Sequence, residues 1–338
     1  MKAVVLTGTG GPEVLKLEDV RVPGGGDPGP GEVLVRVRAV GVNPIDYKLR
    51  KTGAMGIGAG RILGLDVAGE IEKVGPGAEG GGGWKEGEKV FYVAEFTQSG
   101  GAGGPGGYAE YNMARAGNLT RMPGGVSFVQ AAAMPLAWST AWESVMNRGQ
   151  LRAGETVLIA AANGGVGSVA VQMCKAAGAF VIGTCSERSM EFVKSIPRVG
   201  GKGPDRVFDY RKDWPGEMKE MFEKDPAAGG GIDLVFDCAG QDVVLKAAGL
   251  LKRGADDVGR IVSIVDPKGE FKELYRTNTA LHYVSMIHKR VSLEPLRLMM
   301  ERGEVVPLID SVMKLAEVGK AHEALEEGGV KGKIVLEV

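Results

Sequence analysis

From Thr156 to Ser168 the chain reads Thr-Val-Leu-Ile-Ala-Ala-Ala-Asn-Gly-Gly-Val-Gly-Ser. A short apolar run rich in β-branched residues, Thr156–Ala161, predicts a buried parallel strand. The small and apolar residues of Ser168–Ala177 recur at helical spacing. A strand, a glycine turn and a helix in that order aim backbone N–H groups and the positive end of a helix dipole at a pyrophosphate. Asn163, Gly164, Gly165, Val166 and Gly167 are therefore candidate cofactor-binding residues, with Gly164 allowing close approach to phosphate and Gly167 close packing of helix on strand. The pattern is Ala162-x-Gly164-x-x-Gly167, with alanine at the first glycine of the usual dinucleotide fingerprint.

Which dinucleotide fits depends on the end of the next strand, Ala179–Cys185. A fold that prefers NAD places Asp or Glu about 20 residues after the glycine turn, to accept from the ribose hydroxyls. Here Ser186 stands at that point, followed by Glu187 and Arg188. A small hydroxyl and a guanidinium suit a 2′-phosphate, so the reading favours NADPH. Glu187 leaves a route to NADH, and both charged residues could instead be solvated at the start of a helix over 188–195.

Strand and helix patterns supply the frame. Residues 1–125 read as short strands and turns, Lys2–Thr7, Glu32–Val42, Val67–Val74, Lys89–Val93 and Tyr108–Met113, the pattern of a mostly antiparallel domain. Glycine tracts at 24–26, 80–83 and 100–107 read as loops. After Ser127 strands and helices alternate, with strands expected at 156–161, 179–185, 206–208, 232–237, 259–265 and 280–287. Six such strands predict an α/β fold with a doubly wound parallel sheet. Residues 293–338 read as two helices and a last strand, Lys333–Val338, which returns to the first domain. The expected domains are 1–125 with 289–338, and 126–288.

At 338 residues and 44% hydrophobic content the chain can fill two cores. Its 41 basic and 42 acidic residues form no basic stripe, which argues against nucleic acid. Neither a signal peptide nor a membrane span is expected, and the reading is a soluble, cytoplasmic protein. The three cysteines, Cys174, Cys185 and Cys238, lack zinc-site spacing, and the three histidines, His282, His288 and His322, lie late in the chain. No metal site is expected.

Several stretches together carry a resemblance: Asn43-Pro44-Ile45-Asp46, Gly64-Leu65-Asp66-Val67-Ala68-Gly69, Gly107-Tyr108-Ala109-Glu110-Tyr111, Thr140-Ala141-Trp142, Asn163–Gly167, Phe208-Asp209-Tyr210 and Lys331-Gly332-Lys333-Ile334-Val335. The chain resembles the medium-chain dehydrogenase/reductase superfamily over essentially its whole length, and its zinc-independent quinone oxidoreductase branch in particular. The resemblance implies a GroES-like catalytic domain, a Rossmann dinucleotide-binding domain and a homodimer; the stretch 281–287, expected at a sheet edge, is where two copies would pair. Zinc-dependent relatives have Cys near the position of Asn43 and His where Leu65 stands; neither is present here.

Without metal, hydride transfer suits quinones and α,β-unsaturated carbonyls, whose conjugation delocalises the arriving charge. By resemblance, Asn43 would lie beside the nicotinamide, Thr140 near its carboxamide, and Tyr210 by the adenosine 2′-phosphate. Tyr47 is the nearest phenol able to donate to a substrate oxygen, or else a packed aromatic. Asp46 suits a helix cap better than chemistry. Cys238 and Ser263 fall at the carboxyl ends of strands, where ligands lie in such sheets; a buried filler is the plain alternative for Cys238. Two other functions stay open. One is a trans-acting enoyl reductase on thioester-bound acyl chains, for which Arg50, Lys51 and Arg61 are weak candidates for a basic mouth, solvated charges being the plain alternative. The other is an NADPH-binding structural or sensing protein. The stretch 196–203 and Trp138 depart from the family pattern.

Overall fold

A computed structural model describes residues 1–78, 83–95, 106–253, 258–265, 274, 279–286 and 292–338. The chain divides into two compact units, one formed by Met1–Leu136, Leu293–Glu301 and Pro307–Val338, the other by Ala137–Ser292 and Arg302–Val306. The boundary expected at 125/126 thus precedes the observed division at 136/137. The helix Phe128–Ala132 explains the difference: a Cβ on Gly41, in the strand Glu32–Val42, would sit 2.3 Å from the carbonyl oxygen of Ala132.

The first unit is built on a sheet in which Ile309–Lys314, Lys333–Glu337, Glu32–Val42, Asp66–Val74, Lys89–Val93 and Thr120–Arg121 lie side by side, and Tyr111–Arg115 also pairs with Glu32–Val42. Only the first pairing is parallel. Alternation explains the central strand. Val33, Val35 and Val37 face the core, while Arg36 and Arg38 pair across to Glu72 and Glu70 at 2.8 and 2.7 Å. The return of the last strand to this unit is as predicted. The strands Leu15–Asp19 and Ile309–Lys314 were not predicted. The strand expected at Tyr108–Met113 instead runs Tyr111–Arg115, because Tyr108 and Ala109 turn their backbone to Leu63, Val4 and Ala3.

The second unit holds a six-stranded parallel sheet in the spatial order Arg206–Asp209, Phe180–Cys185, Thr156–Ile159, Leu234–Asp237, Arg260–Ser263, Ala280–Tyr283. Chain order along the sheet is third, second, first, fourth, fifth, sixth, the doubly wound arrangement. Leu158, Ile182, Val235 and Ile261 form its buried interior with Trp214 and Met218. The insertion 196–203 is a small hairpin that pairs Pro197–Arg198 with Gly201–Lys202. The sixth strand ends at Tyr283, and residue 287 of the expected edge lies outside the described residues, as do residues 100–105 of the glycine loop. Among the described residues no helix is long and apolar enough to cross a membrane.

Candidate active site

The glycine turn leaves the carboxyl end of Thr156–Ile159 and enters a helix, Gly165–Ala176, with Gly164 as its N-cap residue. The helix begins three residues before the predicted Ser168, so Gly165, Val166 and Gly167 form its first turn. Their N–H groups have no acceptor within the helix and are only half covered up to Val166. A Cβ on Gly167 would lie 2.3 Å from the carbonyl oxygen of Ala161, whereas one on Gly164 would make only an ordinary 3.4 Å contact there. The position that geometry would give to glycine is Ala161, with φ of 52°, and not Ala162. The turn fits a pyrophosphate through its donors and its helix dipole.

At the end of the neighbouring strand, the Tyr210 N–H donates to the Cys185 carbonyl at 3.1 Å, which brings Ser186 and Tyr210 to one edge of the sheet. Ser186 is buried, its Oγ 3.3 Å from the Oγ of Ser189. Arg188 is exposed and has no carboxylate partner among the described residues. Glu187 is also exposed, 3.9 Å from the Lys212 ammonium. The Arg211 guanidinium donates to the Tyr210 hydroxyl at 3.2 Å and covers the ring of Tyr210. Two strands along, the Asp237 carboxylate accepts from Ala239 N–H, Gly240 N–H and, at 2.7 Å, the Ser263 hydroxyl. The Ser263 hydroxyl is thus tied to Asp237, and the Ser263 carbonyl accepts from the Val284 N–H at 2.9 Å. Cys238 is half-buried, and desolvation together with Asp237 pushes its thiol well above the ordinary range. Thr140 is buried on the helix Pro135–Trp142, and Trp138 is fully buried with its ring 5.1 Å from that of Trp142.

In the first unit a second polar centre surrounds Asn43, which caps the helix Pro44–Thr52. Its N–H donates to Asp46 Oδ2 at 2.8 Å, the capping role expected of Asp46. The Asn43 side chain is wholly engaged: Nδ2 donates to Asp66 Oδ2 at 2.9 Å and to the Gly41 carbonyl at 3.3 Å, and Oδ1 accepts from Lys333 Nζ. Lys333 also donates to Asp66 Oδ2 at 3.0 Å, and the Leu136 N–H donates to Asp66 Oδ1 at 2.7 Å. Asp66 is fully buried and Lys333 nearly so. Two charges can stay ionised in such a place only as a hydrogen-bonded pair.

Asp46 also accepts from the Tyr108 hydroxyl at 3.1 Å, and that hydroxyl lies 3.2 Å from His322 Nε2. Gly64 makes room for the Tyr108 ring, since a Cβ there would fall 2.5 Å from it. Burial pushes the Asp46 carboxyl up to about 7, against the opposing pull of the Asn43 and Tyr108 donors. Burial, helped by the nearby Arg50 cation, pushes the His322 imidazole down to about 4. Arg50 is fully buried and joined to Glu326, which Lys51 also meets at 2.7 Å. Arg50 is therefore consumed in an internal pairing, whereas Lys51 is an exposed charge that meets the same carboxylate at the surface. Tyr47 is half-buried and its hydroxyl has no hydrogen-bond partner among the described residues.

Sequence reasoning passed over Asp66, Lys333, Tyr108 and His322 as working residues. A signal was present for two of them. Asp66 and Lys333 are single charges set against apolar runs, Val67-Ala68 and Ile334-Val335-Leu336, where a charge is costly without a partner.

The fold and the two centres define an oxidoreductase architecture that joins a GroES-like unit to a dinucleotide-binding unit. Residues 29–124 match the family described as alcohol dehydrogenase GroES-like domain, and residues 202–336 that described as zinc-binding dehydrogenase. The quinone oxidoreductase of Lama guanicoe is 32% identical, over 99% of this chain and 97% of that protein. The 2-methylene-furan-3-one reductase of Solanum lycopersicum is also 32% identical, over 99% of this chain and 79% of that protein. Among solved structures, an NAD-dependent alcohol dehydrogenase superposes with a TM-score of 0.84 at 30% identity, over all of both chains. A mycobacterial protein complexed with NADPH superposes with a TM-score of 0.81 at 26% identity, again over all of both chains. The chain belongs to the medium-chain dehydrogenase/reductase superfamily, with quinone oxidoreductase-like relatives.

Proposed function

We propose that the protein is an NADPH-dependent reductase that delivers hydride to quinones or α,β-unsaturated carbonyls without a metal. The observation that carries the reading is the composition of the Asn43 centre: an amide, a carboxylate and an ammonium, with no thiolate or imidazole suited to zinc among the described residues. The Lys333 cation already supplies positive charge at Asn43, so a second cation there would meet repulsion.

The cofactor supplies the hydride when bound. The chain's part is to hold and orient. The first turn Gly165–Gly167 would bind the pyrophosphate, Ser186, Arg188 and Tyr210 the 2′-phosphate side of the adenosine, and Asn163, Cys238, Ser263 and Thr140 the remaining edges. The unpaired Arg188 favours NADPH over NADH, because a 2′-phosphate gives that guanidinium its partner while Glu187 faces Lys212. In the other unit, Tyr47 has a hydroxyl free to donate to a substrate oxygen. Asn43 would border the reacting carbons as a fixed surface. The relatives that reduce quinones and a methylene-furanone support a conjugated acceptor.

The test follows oxidation of NADPH and NADH by absorbance, with a quinone, a 2-alkenal and an enoyl thioester as acceptors, with and without chelator. Chelator-insensitive turnover of NADPH with the quinone or alkenal is the expected result. Preference for the thioester would favour the acyl reductase, and tight NADPH binding with no turnover would favour a binding or sensing role.

A further inference from the structure

Three side chains meet at the Asn43 centre, and their hydrogen-bonding capacity is spent unequally. Both Nδ2 hydrogens of Asn43 have acceptors, Asp66 Oδ2 and the Gly41 carbonyl, and its Oδ1 already accepts from Lys333. Asp66 is an acceptor only, accepting from Leu136 N–H, Asn43 and Lys333. An ammonium has three N–H groups. Lys333 uses one on Asn43 and one on Asp66, with no third partner among the described residues. The donor still available in this cluster is therefore Lys333 and not Asn43.

We propose that Lys333 is the electrophilic catalytic residue of the reductase, donating its third N–H to the acceptor's oxygen as that oxygen gains charge. The proposal rests on the function argued above. Its surroundings suit such a donor, since Asp66 and Asn43 hold the ammonium in one place, so it need not reorganise when charge arrives, and burial keeps its field unscreened. For an enone, hydride from NADPH adds to the β carbon, the C=C electron pair moves toward the carbonyl, and the enolate oxygen forms against Lys333. The α carbon then takes a proton from solvent, giving NADP⁺ and the saturated carbonyl. Lys333 keeps its own protons throughout.

This role has a signature that a structural one lacks. A simple enolate shares its charge between one oxygen and one carbon only, so its oxygen needs the donor most. A reduced quinone spreads its charge over the ring and needs it least. The experiment compares wild type, Lys333→Arg, Lys333→Met and the charge-neutral pair Asp66→Asn/Lys333→Met, measuring kcat and KM for a 2-alkenal and for a quinone, with NADPH affinity by fluorescence. The paired substitution avoids stranding Asp66 as a lone buried charge. The expected result is a loss of about 100-fold in alkenal kcat for both methionine-bearing variants. Quinone kcat should fall less than about fivefold, NADPH affinity should stay within about twofold, and arginine should recover part of the loss. Equal losses on the two acceptors, or no loss on the alkenal, would overturn the assignment to Lys333 while leaving the reductase reading intact. A wild-type protein that reduces neither acceptor would overturn the reading and this assignment together.

Discussion

The hydroxyl of Tyr108 lies 3.2 Å from Nε2 of His322, a residue 214 positions further along the chain, and 3.1 Å from the Asp46 carboxylate. One phenol thus joins a buried acid to a buried imidazole whose proton affinities are shifted in opposite directions.

Opposed shifts give a pH signature in stability. Asp46 in the folded chain holds its proton up to about 7, while an unfolded carboxyl releases it near 3.8. Its stabilisation is full below 3.8 and is lost as pH rises through about 7. His322 releases its proton at about 4 when folded against 6.5 unfolded, so its contribution is present above 6.5 and lost as pH falls toward 4. The two slopes offset each other between those values in the wild type. Asp46→Asn should leave stability rising with pH from about 4 to 6.5, and His322→Gln should leave it falling from about 4 to 7, each with a limiting slope of about 1.4 kcal/mol per pH unit. Denaturant melts across pH check this, and slopes of the same sign in the two variants would contradict it.

Ala161 adopts a left-handed backbone with φ of 52°, which an alanine side chain disfavours. Ala161→Gly should raise stability by about 0.5–1 kcal/mol, the relieved strain exceeding the added chain entropy. Thermal melts read the change, and a lower Tm would show that the strain is not felt.

Gly164 and Gly167 should separate. A methyl on Gly167 meets the Ala161 carbonyl and the Ala162 Cα, both rigid backbone, whereas one on Gly164 finds ordinary contact. Gly167→Ala should cost about 1–3 kcal/mol of stability. Gly164→Ala should fold normally and lose NADPH affinity only, by crowding the phosphate. Paired melts and NADPH titrations distinguish them.

Arg188→Ala should weaken NADPH binding about 10- to 100-fold, the worth of one charge-assisted hydrogen bond, and leave NADH unchanged. Equal loss for both cofactors would remove Arg188 from the 2′-phosphate.

Tyr47 and Tyr108 predict opposite outcomes for the same substitution. Tyr47→Phe removes a hydroxyl that has no partner among the described residues, so stability should hold within about 0.5 kcal/mol while kcat falls by about tenfold or more. Tyr108→Phe deprives Asp46 and His322 of a buried partner and should cost about 1–3 kcal/mol. A stable, fully active Tyr47→Phe protein would exclude that phenol from the chemistry.

What the sequence determined by itself was local. Glu32–Val42 and Lys89–Val93 were legible to the residue because runs of β-branched and aromatic residues mark strands. The strand–glycine–helix unit at 156–176 was legible because its turn, dipole and close packing are made by neighbours in the chain. Ile309–Lys314 escaped because it is an edge strand whose alternation is interrupted by polar residues, and its place depends on a parallel partner, Lys333–Glu337. The Asn43 centre was decided only in three dimensions. Antiparallel register sets Asp66 opposite Gly41 and Ile334 opposite Val42, and so brings Asp66, Asn43 and Lys333 within hydrogen-bond reach. A shift of one residue in either pairing would turn these side chains to the other face of the sheet. Periodicity tells which residues form a strand, but register is fixed by the packing of whole strands against one another, and that is where this site is made.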